Sequence, residues 1–344
     1  MPAAAVLAAC LALLPADPIM PTPPVDPPLA DSSADATPDV PAPDALAAAP
    51  AAAPAPAAVP LPTLGGSQFW GDVMLRRGWR IQRHAWTGTH RLLGPRQLQH
   101  AVGTREHCRA VLDRCAEPMT GEVTLLIHGI LRGSGSMGRV GKRLDAAGLQ
   151  PLRWDYPSTQ GTIDKAAALL AETIDSLDPG VGRINIVVHS MGGLVVRAYG
   201  RCRRDADQPC DPRLHRLVMI ATPNQGAELA SSLKEFAPFR LLFGPAGRQL
   251  AHDEDWLRTL PAPPMEFAVI AGERGNPSGY NPFLPGDDDG TITVASTRLS
   301  GAADSQTFVG MHSFLMYQPS VTAAVERFLL TGALRETGER EPVE

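Results

Sequence analysis

The stretch Ile184-Asn185-Ile186-Val187-Val188-His189-Ser190-Met191-Gly192-Gly193 decides the fold. Its first part is apolar and rich in β-branched residues, which is typical of a buried strand. Apolar residues then recur at helical spacing, at Leu194, Val195 and Ala198. The pattern predicts a strand, a sharp turn and a helix, with Ser190 on the turn. Such a turn raises the hydroxyl above the end of a sheet, where it can attack a carbonyl carbon if a base lies beside it.

Strand-like runs alternate with helical segments along much of the chain. Apolar runs at 123–127, 150–154, 217–221, 266–271 and 307–310 predict further strands, and 105–116, 136–147, 163–177 and 319–330 predict helices. Residues 79–93 predict an antiparallel hairpin. Alternating strands and helices imply a mainly parallel central sheet flanked by helices, whose ligands bind at the carboxyl ends of the strands.

Composition divides the 344 residues into segments. The first 63 residues carry about half of the 34 prolines and no Lys or Arg, so they cannot bury enough apolar surface to offset their ordering entropy. We therefore predict a signal or lipoprotein segment at 1–20, a disordered Pro/Ala-rich linker at 21–63, an α/β domain at 64–335 with a lid-like insert at about 224–265, and a frayed charged tail at 336–344.

The charge of the chain argues against nucleic acid as a partner. The net charge is −5, and the aspartates of the first 63 residues account for about six negative charges. The α/β domain is therefore close to neutral and lacks the basic surface that nucleic-acid binding requires.

The N-terminal apolar run Val6–Leu14 is too short to span a bilayer but suits the core of a signal peptide. Leu7-Ala8-Ala9-Cys10 resembles the lipobox of bacterial lipoproteins, in which the cysteine is acylated. This interpretation predicts export, with the protein periplasmic or anchored to a membrane through Cys10. The sequence lacks a basic segment before the run. A chance similarity within an alanine-rich tract, in a cytoplasmic protein, is the alternative.

Four further cysteines fall into two close pairs, Cys108 with Cys115 and Cys202 with Cys210. An even number of cysteines in short segments predicts two local disulfides in an oxidising compartment. Reduced, half-buried thiols are the alternative. Neither pair has the spacing of a zinc site, so no metal is expected.

A base for Ser190 can be found by elimination. In this type of fold the chain order is serine, acid, histidine, and only His215, His252 and His312 follow Ser190. His215 precedes an apolar strand and His252 lies in a polar segment, whereas His312 directly follows a predicted strand. The sequence therefore predicts His312 as the base.

The acid is expected in the loop before the last strand, where Asp287-Asp288-Asp289-Gly290 offers three carboxylates. Asp289 is favoured because Gly290 allows the tight turn that would aim the preceding side chain inward. Asp288 is the alternative acid. A solvated turn or part of a calcium loop are other interpretations of the same residues.

An oxyanion hole needs two backbone N–H groups directed at the developing charge. Met191 N–H, directly after the nucleophile, is one candidate. The loop after the first long parallel strand, His128-Gly129-Ile130-Leu131, offers Ile130 N–H as the second, unless it is an ordinary strand-to-helix turn.

Together these motifs resemble the α/β-hydrolase superfamily, and within it bacterial lipases and esterases and the related deacylases of lipid anchors. The resemblance covers roughly residues 120 to 330 and includes Ala221-Thr222-Pro223-Asn224-Gln225-Gly226. It departs from the family pattern at Val188, where glycine is usual in G-x-S-x-G. The resemblance implies an α/β-hydrolase fold with Ser190 as nucleophile, His312 as base, Asp289 as acid, and Ile130 and Met191 as oxyanion donors.

The implied activity is hydrolysis of carboxylic esters through an acyl-enzyme, with no cofactor. The insert at 224–265 is rich in Leu and Phe, so it is either a lid that gates a lipid or acyl ester or an amphipathic helix packed on the core. Substrate contacts are expected from His128, Gly129, His189, Phe236 and Phe239. An acyltransferase with the same triad, or a non-catalytic binding protein on this fold, are the alternative functions.

Overall fold

A computed structural model of the chain describes residues 61–62, 67–226 and 254–344. Several predictions concern residues outside these ranges. They are the signal or lipoprotein segment with Cys10, nearly all of the linker, and the residues Phe236, Phe239 and His252. Within the described ranges, no helix is both long enough and apolar enough to cross a membrane.

The secondary structure alternates between strands and helices after residue 104. The strands are β1 (Leu61–Pro62), β2 (Trp70–Arg76), β3 (Trp79–His84), β4 (His90–Leu93), β5 (Leu98–Gly103), β6 (Thr120–Ile127), β7 (Pro151–Trp154), β8 (Gly180–His189), β9 (Leu214–Ile220), β10 (Glu266–Glu273) and β11 (Asp304–Val309). The helices are α1 (Arg105–Cys115), α2 (Gly138–Ala146), α3 (Ile163–Asp175), α4 (Met191–Asp205), α5 (Glu254–Thr259), α6 (Val294–Thr297) and α7 (Pro319–Thr331). Short 3₁₀ turns lie at Ser67–Phe69, Pro95–Gln97, Ser134–Met137 and His312–Tyr317.

Strands β6 to β11 form the central sheet, in the order β11-β10-β9-β8-β6-β7, and every neighbouring pair is parallel. Val188 on β8 aligns with Ile127 on β6 and with Met219 on β9. This register brings the carboxyl ends of the three strands to one edge of the sheet. The prediction of a mainly parallel central sheet flanked by helices is confirmed.

Both faces of this sheet are buried, which explains the continuous apolar character of its strands. Val187 of β8 belongs to one core cluster, together with Leu144 of α2 and Phe328 of α7. Its neighbour Val188 belongs to the other, together with Val195 of α4. The alternation of side chains along a strand distributes the apolar residues between the two faces.

A second, antiparallel sheet has the order β1-β5-β4-β3-β2, and the sequence predicted only its β3–β4 hairpin. Strand β2 runs beside β7, the edge strand of the central sheet, and Asp72 N–H donates to the carbonyl oxygen of Asp155 over 2.9 Å. The antiparallel sheet therefore adjoins the carboxyl end of β7.

The C-terminal tail is ordered against the domain, so the predicted fraying of 336–344 is wrong. Val343 is buried, its N–H donates to Ala302 O over 3.0 Å, and its carbonyl accepts from Gly301 N–H over 2.8 Å. Arg340 also pairs with Glu266 over 3.0 Å. Glu336, Arg340 and Glu341 are exposed but form ion pairs with the domain.

The four described cysteines are free thiols in the structure, so neither predicted disulfide is formed there. Cys108 and Cys115 lie on one helix, α1, and seven residues of helix rise by about 10.5 Å. A disulfide requires Cα atoms about 4.4–6.8 Å apart, so the helix holds these two thiols apart. Cys202 and Cys210 are half-buried and pack as thiols against the core.

Candidate active site

Ser190 occupies the turn between β8 and α4 with φ 54° and ψ −127°. A positive φ is unfavourable for a residue with a side chain, and it persists where the surroundings fix the backbone. Here Ser190 N–H donates to Ile220 O at the end of β9 over 2.8 Å, and Ser190 O accepts from Gly193 N–H over 3.0 Å. The turn is thereby fixed at the carboxyl edge of the sheet.

The two glycines after Ser190 allow α4 to start close to the neighbouring strands. A Cβ added at Gly192 would lie 3.0 Å from the carbonyl oxygen of His128. A Cβ added at Gly193 would lie 2.8 Å from Met219 Cε and would overlap Thr222. Side chains at these positions would push the helix away and move Ser190 with it.

Val188, the departure from the family pattern, is fully buried on β8. Its side chain belongs to the core cluster on the α4 side of the sheet. The valine is therefore accommodated in the core and does not displace the turn.

Ser190, His312 and Asp289 lie in one hydrogen-bonded chain. His312 Nε2 is 3.0 Å from Ser190 Oγ, and His312 Nδ1 is 2.7 Å from Asp289 Oδ2. Since a carboxylate only accepts, Nδ1 carries the proton and Ser190 Oγ–H donates to Nε2. The three residues come from the ends of β8 and β11 and from the loop after β10.

Asp289 is held in place by its own loop. Its Oδ1 accepts from Thr291 N–H over 3.0 Å and from Ile292 N–H over 2.8 Å, and its carbonyl accepts from His312 N–H over 2.8 Å. The carboxylate is almost completely buried. Both of its oxygens therefore have partners, and one of them is the imidazole.

The neighbouring aspartates have other partners. Asp288 accepts from the N–H groups of Tyr280, Asn281 and Gly290, the last over 2.6 Å. Burial raises the pKa of Asp288 above its ordinary value. Asp287 accepts from the N–H groups that follow β10. Of the three candidate carboxylates, the one that contacts His312 is Asp289.

His128 and His189 were predicted to contact substrate, but both rings are buried beneath the site. His128 Nδ1–H donates to Gly129 O over 2.8 Å, and its ring stacks on Tyr156. His189 Nε2–H donates to His312 O over 3.0 Å. Burial lowers the pKa of both imidazoles, so both stay neutral. The two histidines support the backbone of the site instead of forming its surface.

The loop after β6, residues 128–135, passes directly beside Ser190. A Cβ at Gly129 would lie 3.0 Å from Ser190 Cβ, so a side chain there would crowd Ser190. Leu131 N–H donates to Ser158 Oγ over 3.1 Å. Among the described residues, neither Ile130 N–H nor Met191 N–H donates a hydrogen bond. Within that part of the chain, the two N–H groups predicted as oxyanion donors therefore have no hydrogen-bond acceptor.

Large apolar side chains are exposed beside the triad. Met311 and Phe314 flank His312 in the chain and are 41% and 51% exposed, and Phe283, before the aspartates, is 70% exposed. Single exposed apolar residues are common, but Met311 and Phe314 are exposed on either side of His312 in the chain.

Both described ends of the insert at 224–265 are fastened to α4. Arg197 donates to the carbonyl oxygens of Asn224, Leu260 and Pro261 over 3.0, 2.7 and 3.0 Å. The residues between 226 and 254, which include Phe236 and Phe239, lie outside the described residues.

Sequence reasoning missed a buried polar cluster next to the loop 128–135. Asp72 on β2 and Arg80 on β3 meet Asp155, which directly follows β7. The position of Asp155 at a strand end was the available signal, but its partners come from a sheet that the sequence did not predict.

The comparisons with known proteins are remote. Residues 93–237, less than half of the chain, match a domain of unknown function, DUF7379. No curated protein sequence matches the chain. The mature lipase BlEst2 of Bacillus licheniformis is similar over 63% of this chain and 94% of its own, at 14% identity and a TM-score of 0.48.

Two further solved structures are similar at lower scores. The lin2722 gene product of Listeria innocua is similar over 65% of this chain and 97% of its own, at 19% identity and a TM-score of 0.44. A thermophilic esterase from Thermogutta terrifontis is similar over 62% of this chain and 91% of its own, at 19% identity and a TM-score of 0.40. The function of the site is therefore inferred from its own residues.

Proposed function

We propose that the protein is a serine hydrolase that cleaves carboxylic esters through an acyl-enzyme. The observation that carries this proposal is the hydrogen-bonded chain from Ser190 Oγ through His312 to Asp289. It lies on a strained turn at the carboxyl edge of a parallel sheet, where such a nucleophile is expected. The nucleophile-elbow resemblance noted in the sequence supports the same activity.

In the first half of the reaction, Ser190 Oγ attacks the ester carbonyl carbon while His312 Nε2 takes its proton. The N–H groups of Ile130 and Met191 would stabilise the tetrahedral oxyanion, and each such donor contributes about 3 kcal/mol. Asp289 stabilises the imidazolium. His312 then returns the proton to the leaving alkoxide, and the alcohol departs.

In the second half, a water molecule attacks the acyl-enzyme carbonyl and His312 Nε2 takes a proton from it. Collapse of the second tetrahedral species releases the carboxylic acid and returns the proton to Ser190 Oγ. The same residues therefore serve both halves of the reaction.

The substrate class we propose is an ester with an apolar acyl chain. The exposed side chains of Met311 and Phe314, on either side of His312 in the chain, support this choice, because an acyl chain can cover them. The resemblance to lipases and to deacylases of lipid anchors points the same way. We also propose export with acylation at Cys10, which metabolic labelling with an alkynyl fatty acid and the Cys10→Ser variant would test.

Hydrolysis of p-nitrophenyl esters from acetyl to palmitoyl tests the proposed function. The wild type should release p-nitrophenol, with kcat/KM rising from acetyl to medium or long chains, and Ser190→Ala should be inactive. Transfer of the acyl group to an added alcohol in preference to water would favour the acyltransferase alternative. Absence of turnover in the folded wild type would contradict the proposal.

A further inference from the structure

The loop 128–135 is tied to the rest of the protein at several backbone positions. Tyr156 Oη–H donates to His128 O over 2.9 Å, and Leu131 N–H donates to Ser158 Oγ over 3.1 Å. Gln68 Nε2–H donates to Arg132 O over 3.1 Å. The partners come from the segment after β7 and from the turn before β2.

The strongest tie is at Ser134. Its N–H and its hydroxyl donate to Asp155 Oδ1 and Oδ2, each over 2.6 Å. Short hydrogen bonds to an ionised carboxylate are about twice as strong as neutral ones. Ser134 and Asp155 are both at least nine-tenths buried, so water competes little for these bonds.

Asp155 is in turn fixed by the antiparallel sheet. Arg80 Nη1 pairs with Asp155 Oδ2 and, over 3.2 Å, with Asp72 Oδ2. Asp155 N–H donates to Asp72 Oδ2 over 2.7 Å. Burial raises the pKa of Asp155, but the charge of Arg80 and the hydrogen bonds from Ser134 offset this, so its pKa lies below the ordinary value. The carboxylate stays ionised at neutral pH.

The loop needs this support because its backbone is strained next to the nucleophile. Leu131 has φ 59°, a left-handed conformation that costs a residue with a side chain about 1–2 kcal/mol. Ile130, whose N–H is the expected oxyanion donor, is the preceding residue. Without its ties, the loop would relax toward ordinary backbone angles and turn that N–H away from the site.

We propose that Asp155, clamped by Arg80 and Asp72, is a positioning residue that fixes the loop 128–135 so that Ile130 N–H faces the substrate oxyanion. The antiparallel sheet would thereby support catalysis although it contributes none of the three residues Ser190, His312 and Asp289. The expected loss of kcat rests on the proposed ester hydrolysis. The positioning of the loop 128–135 rests on the loop contacts alone.

Asp178 supplies a matched control. It is a buried aspartate paired with an arginine of the same sheet, Arg76, over 3.0 Å, and it accepts from Met119 N–H over 2.8 Å. Met119 and Asp178 precede β6 and β8, at the edge of the sheet opposite Ser190. Asp178→Asn therefore breaks a similar ion pair without touching the loop 128–135.

The test compares Asp155→Asn, Ser134→Ala and Asp178→Asn in the full chain, by ester kinetics, thermal unfolding and hydrogen exchange. Asp155→Asn should lower kcat by about 30- to 100-fold with KM within about twofold, as expected for a misplaced oxyanion donor. Ser134→Ala should lower kcat by about 3- to 10-fold. Asp178→Asn should lower the unfolding temperature but leave kcat within about twofold.

Hydrogen exchange separates the two proposals. The Leu131 and Ser134 amides should exchange at least about tenfold faster in Asp155→Asn and at wild-type rates in Asp178→Asn. If the wild type shows no esterase activity, the proposed function falls and the exchange result still decides the positioning role. If Asp155→Asn fails to fold, Ser134→Ala carries the test. Unchanged kcat and loop exchange in the folded variants would overturn the inference.

Discussion

The imidazole of His189 donates from Nε2 to the carbonyl oxygen of His312 over 3.0 Å, and the two ring centroids are 4.9 Å apart. The residue before Ser190 thus fixes the backbone of the residue whose ring contacts Ser190 Oγ. The ends of β8 and β11 are joined by this bond beneath the site. It requires His189 to be neutral, because a second proton would have no acceptor: its Nδ1 has no partner among the described residues.

Stability should fall in acid because His128 and His189 stay neutral when folded. Burial holds the pKa of each below 6.5, whereas the unfolded chain takes up these protons near pH 6.5. The unfolded state therefore binds more protons, and the unfolding free energy should fall below pH 6.5, by at most about 1.4 kcal/mol per pH unit for each histidine. Urea denaturation at pH 7.5, 6.5 and 5.5 measures this slope.

The control for that prediction is His128→Asn, which keeps a donor for Gly129 O but cannot titrate. The unfolding free energy of this variant should depend less steeply on pH than that of the wild type, by the contribution of one histidine. Identical slopes in the two proteins would show that folding does not lower the pKa of His128.

Asp289 and Asp288 should respond differently to the same substitution. Asp289→Asn replaces the acceptor of His312 Nδ1–H and favours the wrong tautomer, so kcat should fall by about 10⁴ with little change in unfolding temperature. Asp288→Asn should weaken its bonds to Tyr280, Asn281 and Gly290 and lower the unfolding temperature, with a smaller loss of kcat. Steady-state kinetics and thermal unfolding of both variants decide, and a larger kcat loss in Asp288→Asn would reverse the assignment.

Gly193→Ala should destabilise the protein because its Cβ would overlap Thr222 and lie 2.8 Å from Met219 Cε. We expect a loss of about 1–3 kcal/mol, as for overpacking of a tight core. Denaturant unfolding measures it. Thr222→Ala in the same chain removes part of the overlap and should recover part of the loss, whereas strictly additive losses would contradict this explanation.

The thiols of Cys108 and Cys115 should remain free under oxidising conditions. The helix α1 keeps them about two turns apart, beyond the reach of a disulfide. Alkylation after unfolding without a reductant, followed by mass spectrometry, should modify both cysteines. A disulfide-linked peptide that contains the pair would mean that α1 is not formed in the native protein.

Much of the site was predictable because it follows from local patterns. The apolar run of β8 followed by Ser190 and two glycines predicted the turn, and the position of His312 after a strand predicted its place at the same edge. The choice of Asp289 over Asp288 followed from Gly290. These features depend on residues close in sequence and on the rule that parallel strands end at one edge.

The parts that were not predicted depend on long-range contacts. Asp155 meets Arg80 across 75 positions of sequence, and no local pattern encodes that pairing. His189 and His128 have strand-end positions like Ser190, but their burial is decided by neighbouring strands. The tail folds back because Val343 pairs with Ala302. The charged composition of the tail gave no indication of this pairing.

Covalent labelling with a fluorophosphonate, located by peptide mass spectrometry, tests the central claim most directly. The probe should modify the folded wild type at Ser190 and lose its reactivity when the protein is unfolded. Ser190→Ala should keep the wild-type unfolding temperature and take no label. Labelling of the Ser190→Ala variant, or an unlabelled but folded wild type, would contradict the assignment of Ser190 as the nucleophile.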